Sequence, residues 1–295
     1  MSTVNDLVYA PVSDWEKHTF DLYYPSTPQS PLGSLIVFVH GGAWRTGDKS
    51  DFVDLARNLA NSTGDVVAVV NYTLSIAAIK DDPTSVPAKA QHPKHVQDVA
   101  QALGYFYKNA QELKGYHRDR IFLVGHSAGG QIAGLLAVRP DLYLDPVDIE
   151  LGLDKGTLHS VIRGVIGVEG IYNVDRLLKI WPSYRDFVIQ GFGEDPQTLI
   201  DGSPDGQKIP EVRISGSGGT FQLPYYAVIH SNQDELVDPE QAKDYYAYLQ
   251  SVVCGDTEGK VILEFGDWGT HDDMLQTAQF TRTITKYIHD WERRM

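Results

Sequence analysis

Cysteine and long apolar runs are what this sequence lacks most clearly. Its 295 residues include one cysteine, Cys254, so no disulfide can form within the chain, which suits a reducing compartment. No apolar run approaches the roughly 20 residues that span a bilayer. The first residues contain no basic segment followed by an apolar one, so we expect no secretory signal. Together these absences predict a cytoplasmic protein with no membrane partner.

Basic residues are also scarce relative to acidic ones. The formal net charge is -14 at pH 7, and Lys and Arg form no dense stripe. Because nucleic acids and anionic membrane surfaces attract basic patches, we expect neither as a partner. The chain is 42% hydrophobic, which suffices for a sizeable core. No internal repeat or low-complexity tract divides it, so we expect a single domain over residues 1–295, either as a monomer or as a homodimer.

Strand-like and helix-like segments alternate along the chain. Continuous apolar runs, as at 34–40 and 120–126, are typical of strands buried on both faces. Their alternation with helices indicates an α/β fold with a mostly parallel central sheet and helices on both faces. The other predicted strands are 18–25, 65–72, 160–170, 224–230 and 260–265, and the predicted helices are 51–62, 94–111, 239–250 and one from about residue 272. Residues 172–223 are irregular and predict a partial, cap-like insertion.

A serine lies at the corner between a predicted strand and a predicted helix. Residues 125–129 read GHSAG and fit G-x-S-x-G in the strand-turn-helix context that this motif requires. The turn lifts the serine above the sheet, and the flanking positions must be glycine because Cβ atoms would clash. The N-terminus of the following helix directs amides at any negative charge beside the serine. We therefore predict Ser127 as a nucleophile, with His126 packed or hydrogen-bonded locally.

A serine nucleophile needs a base, and the base needs an acid that orients it. After this turn the chain order should be Ser, then Asp or Glu, then His, at the ends of later strands. Asp234 follows the predicted strand 224–230 and is our choice for the acid. Glu235 and Asp238 are weaker alternatives, since Asp238 is also explained as a helix cap. His271 follows the last predicted strand and is our choice for the base.

The loop after the strand at 34–40 supplies a second feature. It reads HGGAW from residue 40 to 44, and its two glycines let backbone amides approach a substrate oxygen. Trp44 is either a pocket wall or part of the core. We expect His40 to hold the loop by hydrogen bonding rather than to take part in the chemistry.

These motifs resemble those of the α/β-hydrolase superfamily, in its hormone-sensitive-lipase-like branch with an HGG loop. The similarity narrows to serine-dependent kynurenine formamidases (arylformamidases), especially the fungal ones, and runs from about residue 35 to the C-terminus. It is carried by HGGAW, GHSAGG, VEGIYNVDRLL, HSNQDELVDPEQ and WGTHDDM. The resemblance implies an α/β-hydrolase fold. It also implies hydrolysis of N-formyl-L-kynurenine to L-kynurenine and formate, in tryptophan catabolism towards NAD.

The same resemblance assigns roles to residues of this chain. It makes Ser127 the nucleophile, Asp234 the acid and His271 the base. The amides of Gly41, Gly42 and Ala128 would bind the oxyanion. Trp44 and Tyr172 would contact the aromatic leaving group. The partner would be a small-molecule substrate, and we expect no cofactor and no metal ion.

Three alternatives remain. A carboxylesterase for short-acyl or aromatic esters would use the same machinery, whereas a non-catalytic receptor on this fold is disfavoured by His271. A metal-dependent formamidase would carry His-x-Gly-Thr-His-x-Asp, and residues 267–273 read DWGTHDD, with Asp in the first position. His92, His95 and Asp98 are spaced like ligands on a helix, but the proline between the histidines indicates a helix start. We expect neither set to bind a metal.

Overall fold

The computed structural model describes residues 2–10, 18–28, 32–76, 90–143, 158, 160–209, 223–253 and 260–295. Cys254 and the Gly/Ser-rich stretch at 215–219 lie outside the described residues, as does the part of the predicted insertion from 210 to 222.

The described strands form one mixed sheet whose centre is parallel. The strand order is β1-β2-β4-β3-β5-β6-β7-β8. The pairs β1-β2 and β2-β4 are antiparallel, and the five remaining pairs are parallel. The strands are β1 Thr3–Val8, β2 Thr19–Tyr23, β3 Gly33–Val39, β4 Val66–Val70, β5 Tyr116–His126, β6 Ile162–Val168, β7 Tyr225–Ser231 and β8 Val261–Gly266. The prediction of a mostly parallel sheet in an α/β fold is confirmed.

Helices cover both faces of this sheet. The helices are α1 Val53–Thr63, α2 Lys94–Lys108, α3 Ala110–Leu113, α4 Ala128–Val138, α5 Val174–Ile180, α6 Arg185–Phe192, α7 Pro196–Asp201, α8 Pro239–Val252 and α9 Ala278–Glu292. On one face α1 and α9 bury Leu55, Leu59 and Ile284 in one apolar cluster. On the other face α2, α4 and α8 contribute to a larger cluster. None of the described helices combines the length and apolarity needed to cross a bilayer.

The described structure differs from the predicted elements in two instructive places. Strand β1 was not predicted, because TVNDLV is mostly exposed and has no clear apolar period. It forms as an edge strand since β2 offers it antiparallel hydrogen bonds. The predicted helix 94–111 is interrupted at Asn109, after which the short α3 follows.

The parallel strands end at one edge of the sheet, and unusual backbone angles gather there. Ala43, Trp44, Ser127 and Glu169 follow β3, β5 and β6 and all have positive φ, between 48° and 60°. Non-glycine residues seldom adopt this conformation, which concentrates at functional sites. Functional side chains are therefore expected at this edge of the sheet.

Candidate active site

Ser127 occupies a strained turn at the end of β5. Its φ of 53° and ψ of -117° fall outside the ordinary regions, and α4 begins at the next residue. A Cβ atom on Gly125 would overlap the carbonyl of Gly129, and one on Gly129 would overlap the carbonyl of Val39. The two glycines therefore let β5 turn directly into α4 against β3, as the motif predicted.

Asp234 and His271 are brought into contact by the ends of β7 and β8. His271 Nδ1 lies 3.0 Å from Asp234 Oδ2, and both side chains are almost fully buried. A carboxylate can only accept here, so the proton lies on Nδ1 and Nε2 is left to accept one. This orientation is what a general base for a serine requires.

The backbone around Asp234 holds its carboxylate in place. Its Oδ1 accepts hydrogen bonds from the amides of Leu236 and Val237, at 2.8 Å and 3.0 Å. Burial alone would raise the pKa of Asp234, but the hydrogen bond and charge of His271, together with these two amides, outweigh it and bring the pKa below its usual value. The acid stays ionised beside His271.

The two alternative acids have other partners. Glu235 Oε2 accepts from the backbone amide of His271 at 3.1 Å and does not bond the ring. Asp238 Oδ1 accepts two hydrogen bonds from the guanidinium of Arg176. Among the three candidates, Asp234 is therefore the one that meets the imidazole.

Ser127 and His271 line the same cavity. No hydrogen bond joins Ser127 Oγ to His271 Nε2 in the described part of the chain, so the contact between nucleophile and base is not formed in this state. Such contacts commonly tighten only when substrate binds.

The HGG loop lies directly against the serine. A Cβ atom on Gly41 would stand 3.0 Å from Ser127 Cβ, and Gly42, with φ of 103°, faces the cavity together with Ala43. His40 Nδ1 lies 2.8 Å from the Gly41 carbonyl, and Tyr72 donates to the His40 carbonyl. His40 thus holds the loop, as expected from the sequence. The position of Ala128 as first residue of α4 leaves its amide without a partner inside the helix.

Trp44 and Tyr172 lie in the core, which corrects the expectation that they contact the substrate. Trp44 is fully buried, donates through Nε1 to Gln131 Oε1 at 2.9 Å, and packs edge-on against Phe192. Tyr172 is fully buried and stacks on Tyr245 at 4.1 Å. Neither belongs to the residues that line the cavity. Both aromatic rings fill space behind the site, which motif spacing could not distinguish from a pocket wall.

The cavity beside Ser127 measures about 290 Å³ and is mainly apolar. This lies near the lower end of ligand pockets, which run from about 300 to 1,000 Å³. The predicted insertion contributes Leu177, Tyr184 and Phe187 to its wall. The apolar and aromatic lining residues are Ile171, Leu177, Tyr184, Phe187, Leu236 and Val237. Two opposite charges, Arg45 and Asp272, also border the cavity.

Glu169 is a component of the site that sequence reasoning missed. It follows β6, is completely buried, and places Oε2 3.4 Å from His271 Nδ1 and 3.6 Å from His126 Nε2. Burial, and after it the charge of Asp234, raises the pKa of Glu169 to about 10. A signal was present, because a carboxyl group stands in the apolar run VIGVEG near the end of a predicted strand.

Two of the residues considered as metal ligands on a helix, His95 and Asp98, have polar partners in the structure. His95 Nε2 contacts Ser75 Oγ, and Asp98 pairs with His18 and Lys94. His126 Nε2 donates to the carbonyl of His271, while His271 Nδ1 donates to Asp234, so neither nitrogen has a lone pair for an ion. His126 Nε2 and His271 Nδ1 therefore act as hydrogen-bond donors.

Comparison with known proteins supports a hydrolase. A family model described as BD-FAE matches residues 20–249. The chain is 27% identical over 281 residues to the kynurenine formamidase-like hydrolase fscH of Fusarium equiseti, covering 88% of this chain and 85% of that protein. It is 26% identical over 255 residues to a kynurenine formamidase of Meyerozyma guilliermondii, with 86% and 83% covered. An inhibited esterase B from Lactobacillus rhamnosis shares the fold, with a TM-score of 0.74 at 15% identity over 99% of this chain and 88% of that one.

The structural likeness confirms the predicted α/β-hydrolase fold. The serine turn, the HGG loop and the buried acid-histidine pair of this chain lie at one edge of its sheet. The names of the relatives agree with a hydrolase. Because the family model extends over well more than half of the sequence, this chain belongs to the BD-FAE family.

Proposed function

We propose that this protein is a serine hydrolase that cleaves the N-formyl amide of N-formyl-L-kynurenine to give L-kynurenine and formate. The observation that carries the proposal is the 3.0 Å contact between His271 Nδ1 and Asp234 Oδ2, at the edge where Ser127 stands in a strained turn. The names of the similar fungal proteins favour the formamide as substrate.

The chemistry follows from the charge states of the site. His271 Nε2 takes the Ser127 proton as Oγ attacks the formyl carbon, and the resulting imidazolium is stabilised by Asp234. The oxyanion is met by the amides of Gly41, Gly42 and Ala128. His271 then protonates the departing aniline nitrogen, kynurenine leaves, and the formyl group remains as an ester on Ser127. Water, activated by His271, releases formate in the second half.

The cavity suits a small acyl group attached to a flat leaving group. The apolar walls, with Tyr184 and Phe187 from the insertion, can pack against a single aromatic ring. A formyl group is the smallest acyl group and needs little room beside Ser127. These side chains replace Trp44 and Tyr172 as our candidates for contact with the ring.

Two charges at the cavity fit the amino-acid end of the substrate. Arg45 forms no ion pair within the described residues; its guanidinium stacks over Phe187, with Cζ 5.1 Å from the ring centroid. We assign Arg45 to the substrate carboxylate and Asp272 to its ammonium group. Such a pair would favour a zwitterion over a neutral ester.

A substrate panel tests the proposal. The ratio kcat/KM should be higher for N-formyl-L-kynurenine than for nitrophenyl acetate, although nitrophenolate is the better leaving group. Ser127→Ala serves as the inactive control for both. Efficient cleavage of acetyl, butyryl or feruloyl esters with the formamide left intact would replace the proposal by a carboxylesterase.

A second comparison tests the charged subsite. Arg45→Gln should raise KM for N-formyl-L-kynurenine by up to about fivefold, the effect of a partly exposed ion pair. It should leave KM unchanged for formanilide, which lacks the amino-acid end. Arg57→Gln, an exposed arginine of α1 that does not line the cavity, is the matched control. An equal effect of Arg45→Gln on both substrates would remove Arg45 from this role.

A further inference from the structure

Glu169 is a buried acid whose second oxygen has no hydrogen-bond partner among the described residues. The backbone fixes its position, since its φ is 48° and its amide donates to the carbonyl of Ile229. Its Oε1 accepts from the amide of Ser231 at 3.3 Å, which leaves Oε2 directed at the histidines. A buried carboxyl oxygen without a partner is costly and calls for an explanation.

We propose that Glu169 is a positioning residue for His271, holding the imidazole beside Asp234 and serving as the acceptor for Nδ1–H when Asp234 is lost. The distances from His271 Nδ1 to the two carboxyl groups support this role. Oε2 lies 3.4 Å from His271 Nδ1, only slightly farther than the 3.0 Å of Asp234 Oδ2. A small rotation of the glutamate side chain would complete a hydrogen bond once Asp234 no longer competes.

His126 fixes the geometry from the other side. Its Nε2–H donates to the carbonyl of His271 at 3.0 Å and lies 3.6 Å from Glu169 Oε2, while the two imidazole rings are 4.6 Å apart. Oε2 thus faces two N–H groups. A glutamine could not replace Glu169 well. Its NH₂ group would face either these two N–H groups or the N–H group of Ser231, and two donors cannot bond each other.

The surrounding charges decide when Glu169 can act. His126 and His271 face its carboxyl group, and the negative charges of Asp234, Glu235 and Asp272 surround it. In the intact protein, burial and then the charge of Asp234 keep the pKa of Glu169 near 10, so the group is uncharged at neutral pH. Removal of Asp234 eliminates the second cause and lowers that pKa. Because only ionised Glu169 is a strong acceptor, activity without Asp234 should rise with pH.

This inference rests on the proposed hydrolase function, and the experiment separates the two. Activity on nitrophenyl acetate is measured from pH 6 to 9.5 for the intact enzyme, Glu169→Gln, Asp234→Ala and the double variant. Ser127→Ala provides the background at each pH. If Ser127→Ala remains active, the proposed function fails and the inference with it.

The expected result is a pH-dependent rescue. At pH 9, Asp234→Ala should be at least about tenfold more active than the double variant, and the advantage should shrink towards pH 6. In the intact enzyme, Glu169→Gln should lower kcat by about fivefold without changing KM, because Glu169 does not line the cavity. A merely structural role would not create a pH-dependent difference.

Asp238→Asn, added to Asp234→Ala, is the matched control. This carboxylate binds Arg176, so its loss should leave the pH-dependent rise intact. If Asp234→Ala does not fold, Asp234→Ser retains an acceptor for the Leu236 and Val237 amides and takes its place.

Three outcomes would overturn the inference while leaving Ser127-dependent hydrolysis in place. The first is identical activity of Asp234→Ala and the double variant at every pH. The second is a pH-dependent rise that disappears with Asp238→Asn. The third is a loss in Glu169→Gln as large as that in Asp234→Ala, which would make Glu169 the principal acid.

Discussion

The two oxygens of Asp234 have different partners, and this determines what Asp234→Asn should do. Oδ1 accepts from the amides of Leu236 and Val237, whereas Oδ2 faces His271 Nδ1. An asparagine must keep its oxygen at the Oδ1 position, since the reverse orientation would press its NH₂ group against two N–H groups. The NH₂ group then points at His271 Nδ1, which must become the unprotonated nitrogen.

The proton of His271 consequently moves to Nε2, the nitrogen that has to accept the Ser127 proton. The base is present but in the wrong tautomer, and kcat should fall by about 10⁴, equivalent to about 5.5 kcal/mol in the barrier. Stability should change by less than about 1 kcal/mol because both backbone hydrogen bonds of the turn are kept. Asp234→Asn should therefore impair catalysis while leaving the protein folded.

The assay compares Asp234→Asn with Asp234→Ala, using kcat on nitrophenyl acetate and unfolding in urea. Alanine removes the acceptor but does not impose a tautomer, so at pH 9 Asp234→Ala should be the more active of the two despite being the more drastic change. Near-normal activity of Asp234→Asn would move the acid to Glu235 or Asp238. Equal activity of the two variants at pH 9 would refute the orientation argument.

Two further predictions concern metal and stability. Prolonged chelation should leave the rate unchanged while an organophosphate abolishes it by modifying Ser127, whereas loss on chelation and recovery with zinc would mean a metal-dependent reaction. Burial, and then the charge of Glu292, raises the pKa of Asp65 to about 7, so its favourable contribution to stability is present below about pH 4 and lost as pH rises through 7. Asp65→Asn should therefore raise the free energy of unfolding by about 2–3 kcal/mol more at pH 8 than at pH 5 in urea titrations, and equal effects at both pH values would contradict this.

Strand ends were the part of the site that the sequence predicted best. Ser127, Asp234 and His271 each follow an apolar strand, and parallel pairing necessarily brings such ends to one edge of the sheet. Spacing favoured Asp234 but left Asp238 open, because both residues lie in the turn between β7 and α8 and spacing does not show which way each side chain points. The two amides that hold Asp234 Oδ1 and the Arg176 guanidinium that binds Asp238 make that distinction.

Motif spacing did not predict that the rings of Trp44 and Tyr172 are buried in the core. Trp44 follows the HGG loop and Tyr172 follows β6, so both stand near the site along the chain. Their rings nevertheless turn into the core, where Gln131 takes the Trp44 N–H and Tyr245 stacks on Tyr172. These partners come from α4 and α8, remote in sequence. A motif fixes where a backbone passes, whereas the direction of a side chain depends on what packs against it.

Ser127, which the sequence predicted, and Glu169, which it did not, both lie in strained backbone. Ser127 and Glu169 both have positive φ directly after neighbouring strands, and each such conformation costs on the order of 1 kcal/mol or more. At Ser127 the flanking glycines reveal the strain, because Gly125 is needed where α4 packs closely on the end of β5 and Gly129 where α4 approaches β3. At Glu169 the conformation is held by bonds to β7, from its own amide to the Ile229 carbonyl and from the Ser231 amide to its carboxyl group, which leave no mark in the local sequence. A motif search therefore does not detect the strain of a residue that is held by neighbouring strands rather than by its own turn. The carboxyl group in an apolar run was a signal for Glu169, but its approach to His271 is seen only in the assembled sheet.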